Sequence, residues 1–190
     1  MINKMKIKNR GFSMLESIVA IMVLSLSVSG AFSAVTQSLS QATIAKDEIK
    51  AFYLAQEAIE IIRNKRDANQ LFKMANPATL NTWLYGIAQD AVNDPCRFGE
   101  ICQANATTNP PSLTHCSSSW GNCDYLKQTT DTFRYNYATG DTTNFKREIQ
   151  IESITADEIS VTVLISWTKG PLSSFQFKVK THLFNWVSTP

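Results

Sequence analysis

Four hydrophobic patterns follow one another along the chain. The first is an apolar-to-neutral run from Ile18 to Val35, set in a stretch without charge between Glu16 and Lys46. An α-helix rises about 1.5 Å per residue and about 20 apolar residues cross a bilayer core, so this run is at the short end of a membrane span. Ser25, Ser27, Ser29, Ser33 and Gly30 dilute it. In the second pattern, Ala42, Ala45, Ile49, Phe52, Ala55, Ile59 and Ile62 recur every three or four residues, the stripe of an amphipathic helix. Lys46, Asp47, Lys50, Glu57, Glu60 and Arg63 occupy its other sides, with Asp47–Lys50 and Glu60–Arg63 as i,i+3 pairs worth a few tenths of a kcal/mol each. The stretch Asn64-Lys65-Arg66-Asp67-Ala68-Asn69 reads as the helix end, giving one helix of roughly 55 residues and 80 Å from Phe12.

The third pattern, over 67–145, has no sustained period. Thr79 to Gln89 predicts a short helix with Trp83, Leu84, Ile87 and Ala88 on one side. After Asn93 the composition turns to Asn, Thr, Ser and Pro, including Asn109-Pro110-Pro111 and Ser117-Ser118-Ser119, which reads as surface loop. The fourth is alternation: Ile149 and Ile151; then Val161, Val163, Ile165 and Trp167; then Phe175, Phe177, Val179, Thr181 and Leu183. Period-2 patterning predicts half-buried strands, with Arg147, Thr162, Ser166, Gln176, Lys178 and Lys180 on the opposite faces. The short connections at Thr155-Ala156-Asp157 and Gly170-Pro171 favour an antiparallel meander. Its apolar face is expected to pack on the helix around Ile49, Phe52 and Ile59. The fold class is therefore α+β: a long N-terminal helix on a C-terminal antiparallel sheet of three to four strands, with a cysteine-containing loop region between.

Composition changes this picture little, but charge distribution changes it a good deal. With 44% hydrophobic residues the chain can build a core, and a formal charge of +2 supplies no basic face for nucleic acid. Four of the eighteen Lys and Arg residues (Lys4, Lys6, Lys8 and Arg10) precede the apolar run. Without them fourteen basic residues face sixteen acids, a net −2. Basic residues before a span and none just after it place the N-terminus in the cytoplasm and everything beyond about Thr36 outside.

Three readings of the N-terminal segment compete: a buried core helix, a secretory signal cut near Ser29-Gly30-Ala31, and a signal cut at Gly11 that retains the apolar helix. Glu16 favours the third. A carboxylate at the edge of an apolar segment costs up to about 2.5–3.5 kcal/mol near a membrane centre, less at the interface, and an ordinary secretory signal has no use for it.

A Lys/Arg-rich leader, Gly11-Phe12-Ser13-x-x-Glu16 and an apolar helix together resemble the class III signal of type IV pilins and type II secretion pseudopilins. The resemblance implies cleavage after Gly11 by a prepilin peptidase and N-methylation of Phe12, with Glu16 as the family's characteristic acid. It divides the chain into a leader (1–11), the transmembrane and assembly half of the helix (12–36), its amphipathic half (37–66), a loop-rich head (67–145) and the sheet (146–190). Glycine offers the peptidase backbone without a side chain. Cleavage frees an α-amine of ordinary pKa about 7.7–8.0 on Phe12, for which Glu16 of a neighbouring subunit is the expected anionic partner. The alternative for Glu16 is interfacial snorkelling without a partner, and for Gly11 a mere helix start.

Trp167 in the middle strand and Phe184-Asn185-Trp186 near the end look most like minor pilins of the PilV type. Many major pilins carry a mid-helix proline, and this chain has none between Gly11 and Asn76. The implied partners are the prepilin peptidase, other pilin or pseudopilin subunits, an inner-membrane assembly platform and, before assembly, the lipid bilayer. The implied location is a single-pass inner-membrane protein, N-terminus in and C-terminus out, that passes into an extracytoplasmic filament.

Cys96, Cys102, Cys116 and Cys123 form C-x5-C-x13-C-x6-C beyond the span. Four cysteines in an exported, loop-rich stretch suggest two disulfides. Of the three connectivities, Cys96–Cys102 with Cys116–Cys123 is favoured, as staples of adjacent loops. A zinc site including His115, or reduced thiols, are the alternatives; the spacings are wider than usual for zinc. His115 and His182 fall in no metal or nucleophile motif, and no phosphate-binding glycine pattern occurs. Asp131 and Asp141 near Thr142-Thr143 lack calcium-loop spacing and read as solvated loop carboxylates. Asn105-Ala106-Thr107 matches a glycosylation sequon. No catalytic residue, metal or cofactor is expected. The functional expectation is a filament subunit; the alternative is a membrane-anchored adhesion or binding module that never polymerises.

Overall fold

The computed structural model describes residues 13–89, 92–170 and 173–187. The leader, with Lys4, Lys6, Lys8, Arg10 and Gly11, lies outside the described residues, as do Phe12 and Pro171. The chain divides into two units, Met1–Asp47 and Glu48–Pro190. One helix, α1 (Met14–Ala75), contributes to both.

The helix continues past the expected end at 64–69 to Ala75. The polar residues that suggested a stop are held by tertiary hydrogen bonds. Arg66 donates to the Phe184 carbonyl at 2.7 Å, and Asn69 Nδ2 to the carbonyls of Trp83 and Tyr85 at 3.1 and 2.8 Å. Termination comes at Asn76-Pro77, because the residue before a proline is biased out of the α region. The packed face of α1 is also rotated from the stripe expected. Ala51, Leu54, Ala55, Ala58, Ile61 and Ile62 are buried, whereas Ile49 and Phe52 remain 58% and 51% exposed. Large side chains dominated the periodic pattern, but the alanines at 51, 55 and 58 give the helix a shallow face for the core. Phe52 keeps one edge-on contact with Phe177, 6.1 Å between ring centroids.

Seven strands form an antiparallel sheet among the described residues: β1 (Ile101–Asn105), β2 (Ser112–Ser117), β3 (Tyr125–Gln128), β4 (Tyr135–Asn136), β5 (Asp141–Thr155), β6 (Glu158–Lys169) and β7 (Ser173–Phe184). The expected α+β architecture is present, and four short strands lie in the stretch read as loop. Strand β5 organises them. One edge pairs with β6 from Phe145↔Trp167 to Thr155↔Glu158. The other is shared by β1, at Cys102↔Ile149, and β3, at Tyr125↔Lys146. Strand β2 lies outside β1, β4 outside β3, and β7 outside β6. Short strands of two to six residues, rich in Ser, Asn and Gln, leave too weak an alternation to read.

Inward residues of β5, β6 and β7 share one core with the helix alanines and with Trp83, Leu84, Ile87 and Ala88. The last four are buried as expected, but they lie on turns around Leu84 and not on a helix. Phe145, Trp167 and Phe175 are in cross-strand register and stack at 5.7 and 5.6 Å, a row that ties three strands through side chains. Arg147 shares the parity of Ile149 and Ile151, so it lies on the inner face, fully buried, and not on the polar face expected. Thr162 is also buried, at 5% exposure. On β7, Gln176, Lys178 and Lys180 face outward and exposed as expected.

Candidate functional site

The N-terminal half of the helix begins at Ser13, whose Oγ accepts a hydrogen bond from the Glu16 amide at 3.2 Å. The Ser17 amide donates to the Ser13 carbonyl at 3.2 Å, the first turn of the helix. Ser13 is thus an N-cap, and Ser-x-x-Glu is the sequence of a capping box. That signal was available in the sequence and gives Glu16 a second physical role. Its carboxylate stands in the first turn, where the helix dipole favours negative charge.

All residues from 13 to 43 are exposed. Thirteen large apolar side chains between Met14 and Leu39 are each more than half exposed, among them Leu24 at 65% and Phe32 at 71%. Burying each contributes about 1.5–3 kcal/mol, so the segment has a drive of tens of kcal/mol to leave water. A helix apolar on all sides belongs in a bilayer or among other apolar helices. By length and composition α1 is long and apolar enough to cross a membrane. Its hydroxyls do not oppose this. Ser27 Oγ donates to the Val23 carbonyl at 2.8 Å, and Thr36 Oγ1 to the Ser33 carbonyl at 2.9 Å. A hydroxyl satisfied by its own helix costs little in an apolar environment.

In the head, Arg147 joins three elements. One guanidinium nitrogen donates to the Leu54 carbonyl at 3.2 Å and to Glu57 Oε2 at 2.5 Å. The other terminal nitrogen donates to the Ala104 carbonyl of β1. Arg147 is wholly buried while Glu57 is 41% exposed, so one end of the pair is dry and the other wet. The Tyr137 hydroxyl donates to the Arg147 carbonyl at 3.4 Å. Burial raises the Tyr137 pKa above the usual tyrosine value, partly opposed by the Arg147 charge.

The cysteines are oxidised, Cys96 to Cys102 and Cys116 to Cys123, which leaves no thiolate for zinc. The second loop lies on the outer face of the sheet. Glu148, also buried, accepts from the amides of Gly121 and Cys123 at 2.7 and 3.2 Å, and Lys146 Nζ donates to the Gly121 carbonyl at 2.7 Å. Lys178 stands 5.6 Å over the Trp120 ring. Leu164, the cross-strand partner of Glu148 and Lys178, is buried there as well. Nothing in the alternation marked Glu148 as a loop anchor, because its partners are backbone amides far along the chain.

The remaining candidates are not assembled into a centre. His115 pairs with Glu100 at 3.1 Å and His182 with Glu158 at 2.7 Å, both at the surface. Hydrogen bonds from Ser118 and then His115 hold the Glu100 carboxyl below its usual pKa. Asp131 accepts from the Thr132 amide at 2.8 Å. Asn105 Oδ1 accepts from the Thr107 amide and hydroxyl at 3.0 and 2.8 Å, a local turn. Among the described residues no group of three or more His, Cys, Asp or Glu could hold a metal ion.

No curated protein and no solved structure matches the chain. A family model for the prokaryotic N-terminal methylation motif matches residues 6–32, a span that includes Gly11, Phe12, Glu16 and most of the apolar run. The chain thus carries a type IV pilin-like N-terminal signal on an exposed apolar helix.

Proposed function

We propose that this protein is a structural subunit, a minor pilin or pseudopilin, of a type IV pilus-like filament. The methylation-motif match over residues 6–32, on a helix whose apolar surface is uncovered, carries the reading. Prepilin peptidase cuts after Gly11 on the cytoplasmic side, and Phe12 is N-methylated. The helix waits in the inner membrane with the head outside, then bundles with the helices of other subunits at the assembly platform. Glu16 pairs with the Phe12 amine of a neighbour and sets the stagger. The absence of a mid-helix proline and the head's strand order support a minor subunit of the PilV kind. The activity is non-covalent assembly, with no catalytic step.

Mass spectrometry of the mature chain tests the processing: a methylated Phe12 at the N-terminus is expected, and a chain starting at Phe32 would refute it. Glu16→Ala and Glu16→Gln test the pairing in a sheared-filament incorporation assay. Glutamine keeps a side chain able to hydrogen-bond in the capping box, so equal loss of incorporation in both variants identifies the charge as the requirement. Full incorporation of Glu16→Gln would reduce Glu16 to a helix cap.

A further inference from the structure

Among the described residues the sheet ends at β2, β4 and β7, and these margins differ in kind. Strand β4 has two residues and β2 six, and short edges offer little to an added chain. Strand β7 has twelve, pairs with β6 alone and keeps one register from Glu158↔Phe184 to Lys169↔Ser173, without a bulge. It contains no proline. Every second residue of an edge strand turns its N–H and C=O away from its neighbour. Among the described residues, 173–183 make no backbone bond outside the sheet. The chain then turns away from this edge. The Asn185 amide donates to the Asp157 carbonyl at 2.9 Å, and Asn185 Oδ1 accepts from Gln70 Nε2 of α1 at 2.9 Å.

The two faces of the edge specify the strand that fits. On the inner face Phe175, Phe177 and Val179 are only half-buried, whereas their β6 partners Trp167, Ile165 and Val163 are fully buried. Phe52, in edge-on contact with Phe177, is half exposed beside them. The apolar layer therefore reaches the open edge unfinished and would accept one more apolar row. On the outer face Gln176, Lys178, Lys180 and His182 are exposed. His182 has Glu158 at 2.7 Å, and Lys180 has Glu152 at 3.4 Å, with half of each side chain in solvent. Lys178 stands over Trp120 and has no carboxylate within ion-pair distance among the described residues. Glu148 does not serve it, since its carboxylate accepts from the Gly121 and Cys123 amides.

The lysines also decide between occupants. Pairing with β7 of a second copy, in the long antiparallel registers that keep both inner faces on one side, sets Lys178 against Lys178 or against Lys180. Like charges directly opposite are destabilising, whereas acids at the same places are stabilising. We propose that the open edge of β7 pairs with an extended strand of a partner protein in which acidic and apolar residues alternate. Its backbone meets the free N–H and C=O groups, its acids face Lys178 and Lys180, and its apolar side chains cover Phe175, Phe177, Val179 and Phe52. The edge belongs to the head's own sheet, so this reading does not depend on processing at Gly11 or on pairing at Glu16.

The test is fluorescence anisotropy of a dye-labelled, amidated peptide, Glu-Val-Glu-Val-Glu-Val-Glu, with the full chain in non-ionic detergent micelles. Lys-Val-Lys-Val-Lys-Val-Lys reverses the charge, and Glu-Pro-Glu-Pro-Glu-Pro-Glu keeps the charge without the backbone donors of a strand. Saturable binding of the first peptide alone is expected, with hydrogen exchange slowed over 173–184. Lys178→Glu combined with Lys180→Glu is expected to weaken the acidic peptide about tenfold and to admit the lysine peptide. Should that variant fail to fold, Lys178→Gln with Lys180→Gln decides, by losing the preference for the acidic over the lysine peptide. Equal binding of the proline peptide, indifference to the lysine substitutions, or no saturation by about 5 mM would overturn the proposal. So would protection of β7 that grows with protein concentration without peptide, which assigns the edge to a second copy.

Discussion

Arg147→Ala removes a side chain that links α1 to β1 and β5 through a buried charge. The variant loses charge-assisted donors to the Leu54 and Ala104 carbonyls and to Glu57. It also leaves a void where the largest fully buried side chain stood. Breaking a buried pair from one side costs about 3–5 kcal/mol when the remaining charge is trapped. Glu57 is 41% exposed and can hydrate, which pulls the charge part down; the void pushes the total back up. The net expectation is a loss of about 3–4 kcal/mol. At a urea dependence of about 2 kcal/mol/M, the midpoint falls by roughly 1.5–2 M.

Arg147→Met fills most of the void and leaves chiefly the Ala104 carbonyl without its donor, for about 1–2 kcal/mol. Glu57→Gln keeps an acceptor for Arg147 but removes the counter-charge of a wholly buried guanidinium, so it is expected to cost about 2 kcal/mol, less than Arg147→Ala. All four tryptophans, Trp83, Trp120, Trp167 and Trp186, belong to the head, so tryptophan fluorescence during urea unfolding in micelles reports this unit alone. The reasoning fails if Arg147→Ala moves the midpoint by less than about 0.5 M, or if Glu57→Gln costs as much as Arg147→Ala.

Gly140→Ala is expected to cost at least about 3 kcal/mol, because φ is +103° and a Cβ there overlaps the Gln128 carbonyl. Gly99→Ala, at φ +82° with open space around it, should cost only about 1–2 kcal/mol, and equal losses in urea unfolding would contradict the overlap. Burial raises the Tyr137 pKa, so the folded head retains a proton that the unfolded chain releases. That contribution is full below about pH 10 and is lost as pH rises above it, so the wild type should lose more stability between about pH 9 and 11 than Tyr137→Phe. Identical alkaline losses would remove Tyr137 from the account. Replacing Cys116 and Cys123 with serine opens a loop of sequence separation 7 and should cost about 2.5 kcal/mol by the chain-entropy relation. A larger loss, measured by thermal unfolding, would mean that the Glu148 anchorage of this loop is lost as well.

The sequence by itself determined whatever rests on local periodicity and composition. The apolar run, the motif around Gly11 and Glu16, the helix and the alternation of β6 and β7 were legible, because each repeats a simple pattern over many residues. Ser13 as a cap was equally legible, since capping acts across three residues. Tertiary structure decided the rest. Which helix face is buried turned on close approach by alanines, not on the bulk of Ile49 and Phe52. Polar residues at 66–70 continue the helix because their hydrogen-bond partners, at 83–85 and 184–185, are supplied by other segments. Strands β1 and β3 exist because β5 offers them an edge, and β2 and β4 because β1 and β3 then offer theirs, not because their own residues alternate. Arg147 is buried because Leu54, Glu57 and Ala104 converge on it, and a row of letters does not hold that convergence. Local physics places the helix and its signal, whereas the polar interior of the head depends on groups brought together over long sequence separations.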